Sequence, residues 1–288
     1  MVNPNGVGPH SLDLLILDQH VRIRCDPGLG EVLADIFGPM AIDALQRPPD
    51  LCYEITRSTD QALVIDRAGM TSLPARDRGG LVYGLEKDIT LEIQRRRGDL
   101  LFLHAAVVEW QGRVALLAAN SGVGKSTTTW GLLNHGFGYL SDELCPIDLE
   151  AMTVHPYPHA LCLKQRPTGP FPLPTGTLDL GRTLHVPAHL LPSPVLTSPR
   201  SVGAVFLLHR DPATTRPAVQ RISPAEAAAR MYVVTLNALA HPDRGMPAVL
   251  RVALHVPCYR LDIGMLPETC ELIRSTLERT APCSPEAC

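Results

Sequence analysis

The chain has 288 residues, 45% of them hydrophobic and 19% charged, enough to bury a substantial core in one large or two modest units. A formal net charge of -3 and a sequence pI of about 6.4 exclude a broad basic surface of the kind that nucleic acid selects. No window approaches the roughly 18 apolar residues of a membrane span, and the start MVNPNGVGPHSLD lacks a basic-then-apolar secretory pattern. The expectation is a cytoplasmic protein without nucleic-acid or membrane partners, in which a homo-oligomer remains open. The eight cysteines are scattered with no Cys-x-x-Cys pair, which reads as free thiols in a reducing compartment.

In chain order, residues 11–25 alternate as two short strands meeting near Asp18-Gln19, and Gly28 to Phe37 reads as a short amphipathic helix. Leu51–Ser58 and Ala62–Asp66 have strand character. Leu81, Leu85, Ile89 and Ile93 recur every four residues and predict a helix over Gly80–Arg97. The basic run Arg95-Arg96-Arg97 fits a solvated helix end, favoured by the helix dipole. Residues 1–97 thus form an α+β portion without a chemical motif. A second unit, 98–282, begins with Leu101–Glu109 and Arg113–Ala119, two β-prone runs flanking Gln111-Gly112, which suits a two-residue hairpin turn. A helix from Lys125 to His135 stops at Gly136. Tyr139–Ser141 is then a short strand ending in Asp142-Glu143. Eight prolines between Pro167 and Pro199 make 165–200 a long irregular loop, a class that is functional or disordered when found inside a compact unit. Val202–His209 returns as a buried strand. Ser223-Pro-Ala-Glu226 is a capping box opening a helix to about Ala240. Tyr259–Ile263 and Glu268–Thr280 read as a last strand and helix, and 283–288, with Cys283 and Cys288, as a loose tail.

The strongest signal is Ala119-Asn120-Ser121-Gly122-Val123-Gly124-Lys125-Ser126 between a strand and a helix. Glycines there let backbone N–H groups turn inward around phosphate oxygens, and the helix N-terminus adds partial positive charge. Asn120 through Thr127 are therefore the nucleotide-binding candidates. Lys125 would reach the β- and γ-phosphates, and the Ser126 hydroxyl would ligate Mg2+. Ala119 replaces the usual first glycine, tolerable where a strand ends.

If Gln111 and Gly112 are the turn, Trp110 faces Arg113 and, counting back, His104 faces Ala119 at the loop's mouth, to donate to the γ-phosphate or tune a nearby acid. Asp142, at the end of a strand, would accept a proton from an attacking hydroxyl, hold Mg2+, or do both. Glu143 would point to the opposite face. An extra cation over the γ-phosphate is expected, with Lys164, Arg166 and Arg210 as further candidates. His155/His159 and His185/His189 have metal-pair spacing, but prolines between them break the helix that such spacing needs, so zinc is not expected.

With these residues in place, the segment from about Leu101 to Lys164 resembles the catalytic domain of the HPr kinase/phosphorylase family, and within it the HPr-kinase-like proteins that tailor peptides, lasso-type peptides among them. Leu103-His104-Ala-Ala, Ser121-Gly-Val-Gly-Lys-Ser126, Gly138-Tyr-Leu-Ser-Asp-Glu143 and Tyr157-Pro-His-Ala-Leu-Cys-Leu-Lys164 carry the resemblance. It implies an α/β fold with an HPr kinase/PEP carboxykinase-like phosphate-loop core on a mixed sheet. It also implies ATP or another nucleoside triphosphate as donor, Mg2+, and a serine of a peptide or small protein as acceptor. Lys125 and Ser126 match the family's phosphate and metal ligands, His104 its histidine before the loop, and Asp142 its catalytic acid. The chain departs from the family in having Asp142-Glu143 where two aspartates are usual, and in lacking the Glu-x-Arg-Gly segment tied to phosphorolysis. From the residues alone, a small-molecule hydroxyl kinase and a nucleotide switch or ATPase without acceptor stay open.

Overall fold

The structure is a computed structural model and describes residues 10–58, 62–211 and 213–280; the expected tail 283–288 lies outside them. It is α/β, with mixed sheets and helices. The first sheet is built from β1 (His10–Ile16), β2 (Gln19–Cys25), β3 (Ala41–Ile42), β4 (Leu51–Arg57), β5 (Leu63–Arg67) and β6 (Leu73–Ala75), in the order β3-β1-β2-β4-β5-β6. Leu17 and Asp18, both with positive φ, form the turn of the first hairpin. Helix α1 (Pro27–Phe37) starts where Asp26 caps Leu29 N–H, and α2 (Arg78–Arg96) where Asp77 caps Gly80 N–H. Arg95 and Arg96 lie exposed in the last turn of α2, but Arg97 is drawn back onto Leu17 O, Asp18 and Asp99, so the basic run is only partly a solvated end.

The second sheet holds β7 (Leu101–Trp110), β8 (Arg113–Ala118), β9 (Gly138–Ser141), β10 (Leu144–Asp148), β11 (Thr153–Val154), β15 (Arg200–His209), β16 (Ala218–Arg221) and β17 (Cys258–Asp262). Its order is β11-β10-β7-β8-β15-β17-β16, with β9 beside β7. β8, β15 and β17 run parallel, while β7 and β16 are antiparallel to their neighbours. Side-chain alternation divides the core between its faces. Leu101, Leu103, Ala105 and Val107 pack under α4 (Pro224–Val233) and α5 (Met246–His255). Ala106 and Val108 pack under α3 (Lys125–Asn134) and α6 (Leu266–Arg279). Phe102, with Leu144, Tyr157 and Ala160, joins the core of the first sheet. His104 has the parity of Phe102 and Ala106, and so sits where the first sheet's cover ends and α3's begins.

Two sequence expectations are corrected. The stretch 165–200 is not irregular throughout, because β14 (Leu184–Val186) pairs with both β12 (Leu161–Leu163) and β13 (Leu178–Asp179) in a third sheet, β12-β14-β13. The helix opened by Ser223 ends at Val233 rather than near Ala240. Beyond Ala118 the chain leaves β7 to form the glycine loop, and the vacated edge is taken by Val234–Leu236. His104 N–H donates to Val234 O and Leu236 N–H to Phe102 O, both at 2.8 Å. The pull of those unpaired groups on the backbone outweighs helix propensity there. Helix α5 and strand β10 were not foreseen.

Candidate active site

The β7–β8 hairpin has the expected register: Trp110 faces Arg113, and Gln111 and Gly112 have φ of 51° and 81°, the positive pair of a tight two-residue turn. That register pairs Ala118, the last residue of β8, with Ala105, so the chain enters the glycine loop one position on, beside His104. Gly122 (φ 90°) and Gly124 (φ 121°) hold conformations that side chains rarely adopt, and a Cβ on Gly122 would meet only open space. Helix α3 begins at Gly124 without a side-chain cap, so its first N–H groups are left to a ligand. The Lys125 ammonium is buried and has no hydrogen-bond partner among the described residues. Burial pushes its pKa down to about 8, against the pull of Asp142 and Glu143. An unpaired buried ammonium beside uncapped amides is a cradle for an anion.

A cavity of about 330 Å³ opens over the loop. His104, Asn120, Ser121, Gly122, Gly124, Lys125, Ser126, Thr127, Asp142, Glu143, Lys164 and Arg210 line it. The expected residues that do not are Val123, whose side chain packs toward the α3–α6 core, and Arg166, which is exposed beyond β12. Glu143 was expected to face away and instead lines the same cavity. The alternation stops at Ser141, whose Oγ accepts from Glu143 and Leu144 N–H and bends the chain. Lys164 reaches across the loop, its Nζ donating to Ser121 Oγ at 2.7 Å.

Asp142 is 2% exposed. Burial raises its pKa, opposed by His159 and by the Cys162 N–H. Tyr139 Oη donates to its Oδ1 at 3.3 Å, Cys162 N–H to its Oδ2 at 3.0 Å, and His159 Nε2 lies 3.3 Å from Oδ1. Burial holds His104 below the usual histidine range, with Lys125 adding to the effect, so its imidazole is neutral at neutral pH. Behind Asp142, the Glu86 side chain of α2 is partly open along its surface, but its Oε1 is sealed and without a partner. Burial lifts this carboxyl to about 7, with His159 pulling the other way.

Sequence reasoning missed His159 and Glu86. Spacing paired His159 with His155, yet His155 feels Arg97 and Asp148 while His159 sits against Asp142. The signal available was the apolar run Tyr157–Leu163 around a lone imidazole; Glu86 lay hidden among the polar positions of an amphipathic helix. Gln165 and Thr183, from the proline-rich stretch, also reach the cavity. No helix is long and apolar enough to cross a membrane among the described residues.

No family model matches the chain, and no curated protein matches it in sequence. Among solved structures the chain is similar to the HPr(Ser) kinase/phosphatase from Coxiella burnetii, at 16% identity and a TM-score of 0.34, over 62% of this chain and 93% of that one. At that distance the chemistry rests on the geometry of the cavity itself.

Proposed function

We propose that the chain is a kinase that transfers the γ-phosphoryl group of ATP, or another nucleoside triphosphate, to a serine hydroxyl of a peptide or small protein. One observation carries this reading: an unpaired buried ammonium and a buried carboxylate line the same cavity at the uncapped start of a helix. The loop amides and Lys125 hold the β- and γ-phosphates and neutralise charge that spreads onto the transferring group. The acceptor oxygen attacks the γ-phosphorus, the bond to the bridging oxygen breaks, and the nucleoside diphosphate leaves. The hydroxyl proton passes to Asp142, whose raised pKa suits a general base. Neutral His104 offers a hydrogen bond at the γ-phosphate, and Lys164 and Arg210 supply cations at the rim.

The donor set is all oxygen, as a hard divalent cation requires. Among the described residues no group of three or more His, Cys, Asp or Glu would hold a metal alone, which suits an ion shared with phosphates. Ser126 and Asp142, with Glu143 beside them, would hold Mg2+, which supplies further neutralisation at the phosphate oxygens. The Pro-rich 165–200 stretch is the acceptor platform.

The test is Asp142→Asn with radiolabelled ATP and candidate serine peptides. The expected outcome is loss of transfer by at least about 100-fold with nucleotide binding retained. A variant that hydrolyses ATP as the wild type does, with no transfer by either, supports a nucleotide switch instead.

A further inference from the structure

Resting on the kinase reading, the geometry points to His159 as a positioning residue that fixes the orientation of Asp142. The carboxylate is gripped by three groups. Tyr139 Oη and His159 Nε2 are at Oδ1, and the Cys162 amide is at Oδ2. Two of the three come from one short segment, Tyr157–Cys162, and the single Tyr139 hydroxyl proton is shared between Asp142 Oδ1 and His159 O, 3.0 Å away, tying the third to it.

That segment is fastened independently of the cavity. Ala160 N–H donates to Ile36 O at the end of α1 at 2.7 Å, and Tyr157 N–H to Leu140 O at 3.0 Å. Tyr157 and Ala160 are buried in the first sheet's core, and the Tyr157 ring meets the His159 imidazole edge-on at 5.0 Å. The His159 ring is 3% exposed, and His159 is not among the residues that line the cavity. Its contact to Asp142 therefore acts on the acid and not on a ligand. The first sheet thus reaches the chemistry by seating His159, which in turn holds Asp142 to one rotamer facing the phosphate loop.

The experiment uses the full chain with His159→Leu, His159→Asn and His159→Gln, folding being checked by circular dichroism. Leu removes the polar contact, Asn falls short of Asp142, and the Gln amide reaches it. Two measurements are made: crystal structures, and steady-state turnover of Mg·ATP with water as acceptor beside the nucleotide Kd. The expected result is an Asp142 side chain turned from its present place in the Leu and Asn variants and kept in the Gln variant. With it, kcat falls roughly 10- to 100-fold for Leu and Asn while Kd stays within about twofold, and Gln recovers most of the loss. An unmoved Asp142, or wild-type kcat in both Leu and Asn, overturns the inference. A wild-type chain that transfers phosphate to neither water nor a candidate serine peptide sinks the kinase reading, and the rotamers then decide the role of His159 by themselves.

Discussion

At the scale of single residues, the site is defined by charges that burial has shifted. Lys125 is the sharpest case. Its ammonium loses its proton as pH rises through about 8, and with it the attraction for a triphosphate. The affinity for metal-free ATP, measured by fluorescence titration in chelator, is expected to weaken about tenfold between pH 7 and 9. In Lys125→Met the affinity is lower throughout and that weakening is absent. Lys125 and Ser126 were legible in the sequence because a glycine loop between strand and helix admits few alternatives, His104 because the hairpin register could be counted, and Asp142 because it ends a short strand. Glu143 was misplaced because period-two reasoning assumes that the strand continues, and Ser141 ends it. His159 was passed over because its spacing to His155 drew the eye from the apolar run around it, and Glu86 was illegible because what distinguishes it is its burial against groups far along the chain.

At the scale of elements, helix α2 carries an ionisable group that the fold pushes toward neutrality. The Glu86 carboxyl has an unperturbed value of 4.5 and a folded one of about 7. The folded chain therefore holds a proton across that window, and stability from this group falls as pH rises through it. Glu86→Gln is expected to stabilise the protein by about 3 kcal/mol at pH 8 and by close to nothing at pH 4.5, read from urea midpoints. The segment after α4 depends on Asn237 in the opposite way. Its Oδ1 accepts from Phe102 N–H at 2.9 Å and its Nδ2 donates to Leu100 O at 2.8 Å. Asn237→Ala takes its partner from the buried Phe102 N–H and leaves Leu100 O with His241 Nε2 at 3.1 Å, and is expected to cost about 1–3 kcal/mol, visible as a lowered melting temperature. Element types were legible wherever the period was long, as in α2 and the β7–β8 hairpin. They failed at 234–240, where the capping box promised more helix than the open edge of β7 allows.

At the scale of the molecule, the first sheet and the loop-bearing sheet share buried side chains. Phe102, Leu144, Tyr157 and Ala160 are at most 1% exposed, and each lies in the core built on β1–β6 and α2. A fragment of residues 98–280 would present all four to water. It is expected not to fold to a native state, which near-ultraviolet circular dichroism and amide NMR dispersion would show. The edge of β7 that Val234–Leu236 completes has a further consequence for how the protein comes into being. The loop amides and Lys125 have left the ribosome once α3 has, yet the strand beneath them keeps unpaired amides until Asn237 emerges. At the usual pace of translation that interval is about 5–20 s. During synthesis, nucleotide binding should therefore arrive late and all at once, with the closing of the floor rather than with the appearance of the loop.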